Sequence, residues 1–191
     1  MKTSLVIIGI ISSLLLWTCD DSGSKQTKSE EQIMEEGSAI TKAVGSNLIK
    51  TVQQKMAEGG IEAAVGYCNV NALALTDSVA QAHGVQVKRT ALKTRNPKNN
   101  PTQLEREALV KMSGQSKPEA EVVYNDNNQI VYYQPIMLQG FCQTCHGNIG
   151  KAMTVQTNKL IKYHYPKDQA TGFSSGDLRG MWAVYFETPN K

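Results

Sequence analysis

The stretch FCQTCHGNIG, residues 141–150, sets two thiols and an imidazole in the order C-x-x-C-H: Cys142, Cys145 and His146. A short loop carrying three strong ligands commits the surrounding chain to building a pocket around them. With four Cys and three His in 191 residues, chance rarely produces this spacing. It serves covalent porphyrin attachment, zinc ligation or dithiol redox chemistry, and the compartment chooses among them.

The first thirty residues specify that compartment. Lys2 precedes an apolar run from Leu5 to Trp17, 13 residues long. That is an export-signal length and short for a membrane span. LWTC resembles a bacterial lipobox: Leu16 stands three residues before Cys19 and Thr18 directly before it, although Trp17 is an unusual occupant of the middle position. The resemblance implies cleavage before Cys19 and lipidation of its sulfur. The alternative is an ordinary signal peptide with an incidental Cys. Residues 1–18 therefore read as a lipoprotein-type signal peptide, and the polar residues 19–31 as a flexible tether. The expectation is an exported, lipid-anchored protein on the periplasmic or cell-surface face of a bacterial membrane. Residues 32–191 are long enough for one domain with a sizeable core. The formal charge of +3 comes from scattered basic residues, which gives no nucleic-acid surface.

An exported chain needs a reason to keep thiols. Cys19 goes to lipid, Cys142 and Cys145 to the motif, and Cys68 is left alone in GYCNVN. One spare thiol makes no disulfide framework. The leading reading is one covalent haem c: both motif thiols add to the porphyrin vinyl groups, and His146 becomes the proximal iron ligand. A zinc site would need Cys68 as its fourth ligand. A thioredoxin-like dithiol would open a long helix, whereas Gly147 and Gly150 follow at once.

The rest of the chain reads as α+β with an antiparallel sheet and two long N-terminal helices. In residues 32–58, Ile33, Ile40, Val44, Leu48, Val52 and Met56 recur near helical spacing, and Gly59 and Gly60 end the run. In residues 61–83, Ile61, Val65, Cys68, Ala72, Leu75 and Val79 form one stripe, so Cys68 also has an ordinary reading as a core residue. His83 suits the last helical turn, with Gly84 as cap. Residues 85–92 alternate as a strand, 101–112 start a helix at Asn100-Pro101, and two strands flank the turn DNN. Residues 153–163 form a short helix, 165–180 a loop, and MWAVYFE a closing strand. This order, with the motif 45 residues from the end, excludes the small all-helical cytochromes c, which carry C-x-x-C-H near their start.

GYCNVNALALTDSVA, VKRTALKTRNPKNNPTQLEREAL, YYQPIML with FCQTCHG, and YPKDQATGFSSGDLRGMWAV appear in one order. Together they resemble the single-haem c-type domains of PAS-like fold, a family long catalogued as a domain of unknown function. The resemblance covers residues 35–188. It implies attachment through Cys142 and Cys145, His146 as proximal ligand, and a distal cysteine that matches Cys68. The oxidising compartment agrees, since a reactive thiol stays free there only if shielded or bound. Met153 follows His146 too closely to cross the porphyrin, while His164 and Met181 stay in play. The resemblance further implies that Arg89, Arg95, Asn96 and Pro97 lie on the propionate side; as bare residues they equally read as turn formers and solvated charges. Asp177, Arg179 and Gly180 match the family's GDLRG turn and read as structural.

Three function classes follow. The first is a redox or small-ligand (gas) sensing module, since PAS-like folds hold cofactors; its partner would be a transducer. The second is an electron-transfer c-type cytochrome working with a redox protein at the membrane surface. An enzyme such as a peroxidase is not expected, because no His/Arg pair for peroxide cleavage is evident.

Overall fold

The computed structural model describes residues 28–186. The signal peptide, Cys19 and most of the tether lie outside them. Helix α1 runs Glu30–Ala82. It starts two residues earlier than its periodicity indicates, because Ser29 and Gln32 cap each other's backbone in a capping box. Residues 30 and 31 therefore belong to the domain and not to the tether.

The two expected helices are the two limbs of α1. Its backbone leaves helical geometry at Gly59 (φ −154°, ψ 24°) and Gly60 (φ 66°, ψ −157°). Gly60 takes the left-handed value at no steric cost, which redirects the chain without a loop. His83 is the C-cap and is exposed, consistent with a terminating role.

Four antiparallel strands follow: β1 Gln86–Thr90, β2 Glu121–Tyr124, β3 Ile130–Met137 and β4 Leu178–Tyr185, in the spatial order β1-β4-β3-β2. Between them lie α2 Gln103–Ser113, the one-turn α3 Gln143–His146 and α4 Val155–His164. β4 begins at Leu178, so the end of GDLRG is strand and not loop. The close passage of Gly180 beneath β1 permits this: a Cβ there would lie 2.3 Å from the Thr90 carbonyl oxygen.

The central strands are covered on both faces. Ile33, Ile40 and Val44 of α1 pack with Ile130, Tyr132, Trp182 and Val184. On the other face Leu109 and Met112 of α2 pack with Val131, Tyr133, Met181 and Ala183. Successive residues of β3 and β4 thus alternate between two cores, which is why IVYY and MWAV read as unbroken apolar runs.

Gly37 is where α1 comes closest to the sheet; a Cβ there would lie 2.4 Å from the Tyr132 ring. Gly→Ala inside a helix ordinarily stabilises by about 1 kcal/mol. Overpacking a dense core costs about 1–3 kcal/mol. Gly37→Ala should therefore lower the urea midpoint with the m-value unchanged, and a raised midpoint would show that the contact yields freely.

Candidate functional site

The two limbs of α1 splay from the sheet and enclose a cavity of about 550 Å³ against β1, β3, β4 and the motif segment. Much of its helical wall is apolar, with Leu48, Val52 and Met56 from the first limb and Val65 and Ala72 from the second, while Ser38, Thr41 and Lys42 add a polar stretch. Part of each helical stripe therefore borders the cavity, while Ile61 and Val79 pack against core clusters.

Cys142, Cys145 and His146 all line this cavity. A 3₁₀ turn, Gly140–Cys142, runs into α3, which ends at Gly147. The motif is held by residues 168–173. His146 O accepts from Phe173 N–H at 3.0 Å, and Gly147 O from Gly172 N–H at 3.0 Å. His146 Nδ1 lies 2.8 Å from the Ala170 carbonyl oxygen. The nitrogen must donate there, which leaves Nε2 with its lone pair. Burial holds the imidazole well below its usual pKa, and Arg95 and Arg179 add to this. A neutral ring with a lone pair at Nε2 is the form that binds a metal.

Burial pushes the Cys145 thiol up to about 11. Burial also raises Cys68, against the opposing pull of Arg89 and Arg95. Cys68 lines the cavity from the second limb of α1. Such a thiol keeps its proton at neutral pH unless a metal cation replaces it. Among the described residues no three His, Cys, Asp or Glu side chains converge as a metal-binding group.

Arg89, Arg95 and Arg179 also line the cavity. Arg95 has partners: Nε donates to Asp168 Oδ1 at 3.1 Å, and Nη2 to the carbonyls of Cys145 at 2.5 Å and Ala170 at 3.3 Å. Arg89 lies 5.8 Å from the ring of Trp182, its cross-strand partner on β4. Arg179 Nη1 donates to Lys93 O at 3.1 Å, while its buried Nε has no partner. Burial lowers Arg179 to about 9, and Arg89 and Arg95 push the same way. Of these three arginines only Arg95 pairs with a carboxylate among the described ion pairs; Arg89 and Arg179 are half-buried and have no such partner there. A largely apolar wall, two thiols, one imidazole lone pair and two cations without such a partner together suit a large apolar ligand that carries carboxylates.

Residues 23–187 match the family described as Tll0287-like: Tll0287. The chain belongs to the Tll0287-like family. Among solved structures it is similar to the cyanobacterial heme-protein Tll0287, at 27% identity and a TM-score of 0.56, over 82% of this chain and 97% of that one. A comparison with curated proteins finds no match.

Membership of the Tll0287-like family covers the α+β domain just described, and most of the residues singled out in the sequence meet in its cavity. Cys68, Arg89, Arg95, Asn96, Cys142, Cys145 and His146 all line it. Pro97 does not; it opens the 3₁₀ turn Pro97–Asn99, which Asn96 caps by accepting from Lys98 N–H. Arg95 is engaged with Asp168 and backbone carbonyls, so it braces the motif. Arg179 reads from its turn as structural, yet it faces the cavity. Met153 does not line the cavity; it is buried behind its wall with Val65, Ile161 and Tyr165. Met181 points to the α2 face of the sheet. His164 is outside the cavity wall and stacks edge-on with Tyr163. Two other methionines, Met56 and Met137, do line it. Sequence reasoning also missed Tyr165, Trp182 and Asp168; nothing local distinguishes them from core and turn residues.

Proposed function

We propose that this chain binds one haem c covalently through Cys142 and Cys145, with His146 as proximal ligand and Cys68 on the opposite side of the iron. The observation that carries the reading is that those four residues and two arginines without a carboxylate partner line one cavity. The residues fit the group: apolar helix walls suit the macrocycle, and Arg89 and the orphaned Nε of Arg179 suit its two propionates. When bound, haem supplies an iron that changes oxidation state and takes axial ligands. The chain's part is to present two thiols to one porphyrin edge, to hold His146 as the Nδ1–H tautomer, and to shield the ring from water.

The reading extends to a redox or gas-sensing module with PAS-like organisation, lipid-anchored by Cys19 at an exported membrane face, and not an enzyme. Cys68 and His146 on one cavity favour sensing: if both held the iron, loss of the Cys68 bond on a change of oxidation state would open a position for a small ligand. Electron transfer is the second reading. It is favoured by Phe141 and Met137, which line the cavity yet stay 41% and 39% exposed, bringing the cofactor edge close to solvent.

Intact mass after denaturation decides the cofactor. Protein matured with haem-attachment machinery should exceed its polypeptide mass by one haem, and Cys142→Ser with Cys145→Ser should abolish the increment. A wild type of bare polypeptide mass would refute the reading. CO binding to the reduced protein favours sensing; a six-coordinate, CO-inert ferrous form favours electron transfer.

A further inference from the structure

Asp168 is buried in the turn after α4 and spends one oxygen on two donors. Its Oδ1 accepts from Ala170 N–H at 2.9 Å and from Arg95 Nε at 3.1 Å. Its other oxygen is buried without a partner. That placement costs free energy, so the grip exerted by Oδ1 is what the carboxylate contributes here. Arg95, held in this way, reaches Ala170 O at 3.3 Å, and the same oxygen takes the proton of His146 Nδ1 at 2.8 Å. One carbonyl therefore serves a guanidinium and an imidazole together.

A carbonyl oxygen has two lone pairs and can hold both bonds. The cation draws electron density toward itself, so the oxygen accepts less strongly from the imidazole. An imidazole whose N–H is held less tightly has less imidazolate character and donates less at Nε2. We propose that Arg95, locked by Asp168, is a positioning residue that acts through Ala170 O to limit electron donation by His146, and so keeps the potential of the bound iron high. The proposal rests on the haem reading above.

The experiment is redox titration of the haem-loaded protein with Arg95→Gln, Asp168→Ala and Asp168→Asn. Arg95→Gln should lower the midpoint enough to change the oxidised-to-reduced ratio at fixed potential about tenfold, or ~59 mV for one electron. Asp168→Ala should shift it the same way, because the arginine loses its anchor. Asp168→Asn keeps an acceptor oxygen at the Oδ1 position and should stay near wild type. Through-space charge alone also lowers the midpoint in Arg95→Gln but predicts a different outcome at Asp168, where removing the charge raises the midpoint in both variants. Shifts of opposite sign would therefore overturn the proposal. So would unchanged midpoints with only a loss of haem yield or stability, which a purely structural clamp would give. A wild type without covalent haem removes the haem reading and this one together.

Discussion

Cys68→Ala should keep covalent haem, change the ferric spectrum and raise the midpoint potential. On the proposed haem reading, retention follows because attachment would use Cys142 and Cys145 alone. The spectrum changes because a charged sulfur donor is lost from the iron. The sign of the potential follows from the same donation: a thiolate stabilises ferric over ferrous iron, so its removal favours reduction. Axial ligation moves haem potentials over a range of about 0.8 V, which sets the expected rise on the order of 0.1 V or more. The geometry narrows the competitors. Met153 and Met181 are buried in other clusters, and His164 is outside the cavity wall. Met56 and Met137 line it and are the rivals to test. An unaltered ferric spectrum in Cys68→Ala, with a change in Met56→Ala or Met137→Ala, would return Cys68 to the helix's apolar stripe.

Glu105→Ala should destabilise the fold by about 3 kcal/mol. Glu105 is fully buried on α2. Its Oε2 pairs with Lys88 Nζ at 2.6 Å and accepts from Thr102 N–H at 2.6 Å, while Oε1 accepts from Tyr185 OH at 2.6 Å. One carboxylate thus ties the start of α2 to β1 and β4. Burial raises the Tyr185 phenol above its ordinary pKa and the neighbouring Glu105 raises it further, so the hydroxyl remains a donor. Removing one partner of a buried pair costs about 3–5 kcal/mol. The lower end applies because the Lys88 side chain, 26% exposed, still reaches water. Tyr185→Phe removes a single hydrogen bond to a charged group and should cost about 1.5–3 kcal/mol. Urea denaturation measures both. The network lies on the α2 side of the sheet, away from the cavity, so the haem spectrum of the folded variants should not change. A Glu105→Ala loss below that of Tyr185→Phe would show that the carboxylate, once paired, gains little over its absence.

Much of this domain is legible from local chemistry. Gly59-Gly60 breaks the long helix because two residues without Cβ favour a turn wherever they stand. Asn100-Pro101 precedes α2, and the alternation in residues 85–92 marks β1. C-x-x-C-H in a chain with an export-like start marks the segment proposed to attach haem, since two thiols and an imidazole at that spacing have few uses. The stripe through Val65, Cys68 and Ala72 shows which helical face turns inward, but periodicity cannot say whether that face meets a packed core or an open cavity.

The amino-acid sequence by itself determined most of the elements, their order and the thiol and imidazole residues of the candidate site, because each depends on neighbours within a few positions. Only the tertiary structure decided which of them meet. Met181 and Trp182 are adjacent in sequence, yet the two-residue period of β4 sends one to α2 and the other to the cavity. Arg95 and Arg179 carry the same group. A carboxylate 73 positions along the chain makes Arg95 a brace, while Arg179 keeps a buried nitrogen without a partner. Contacts of such separation depend on how strands and loops pack together, and no local pattern encodes that.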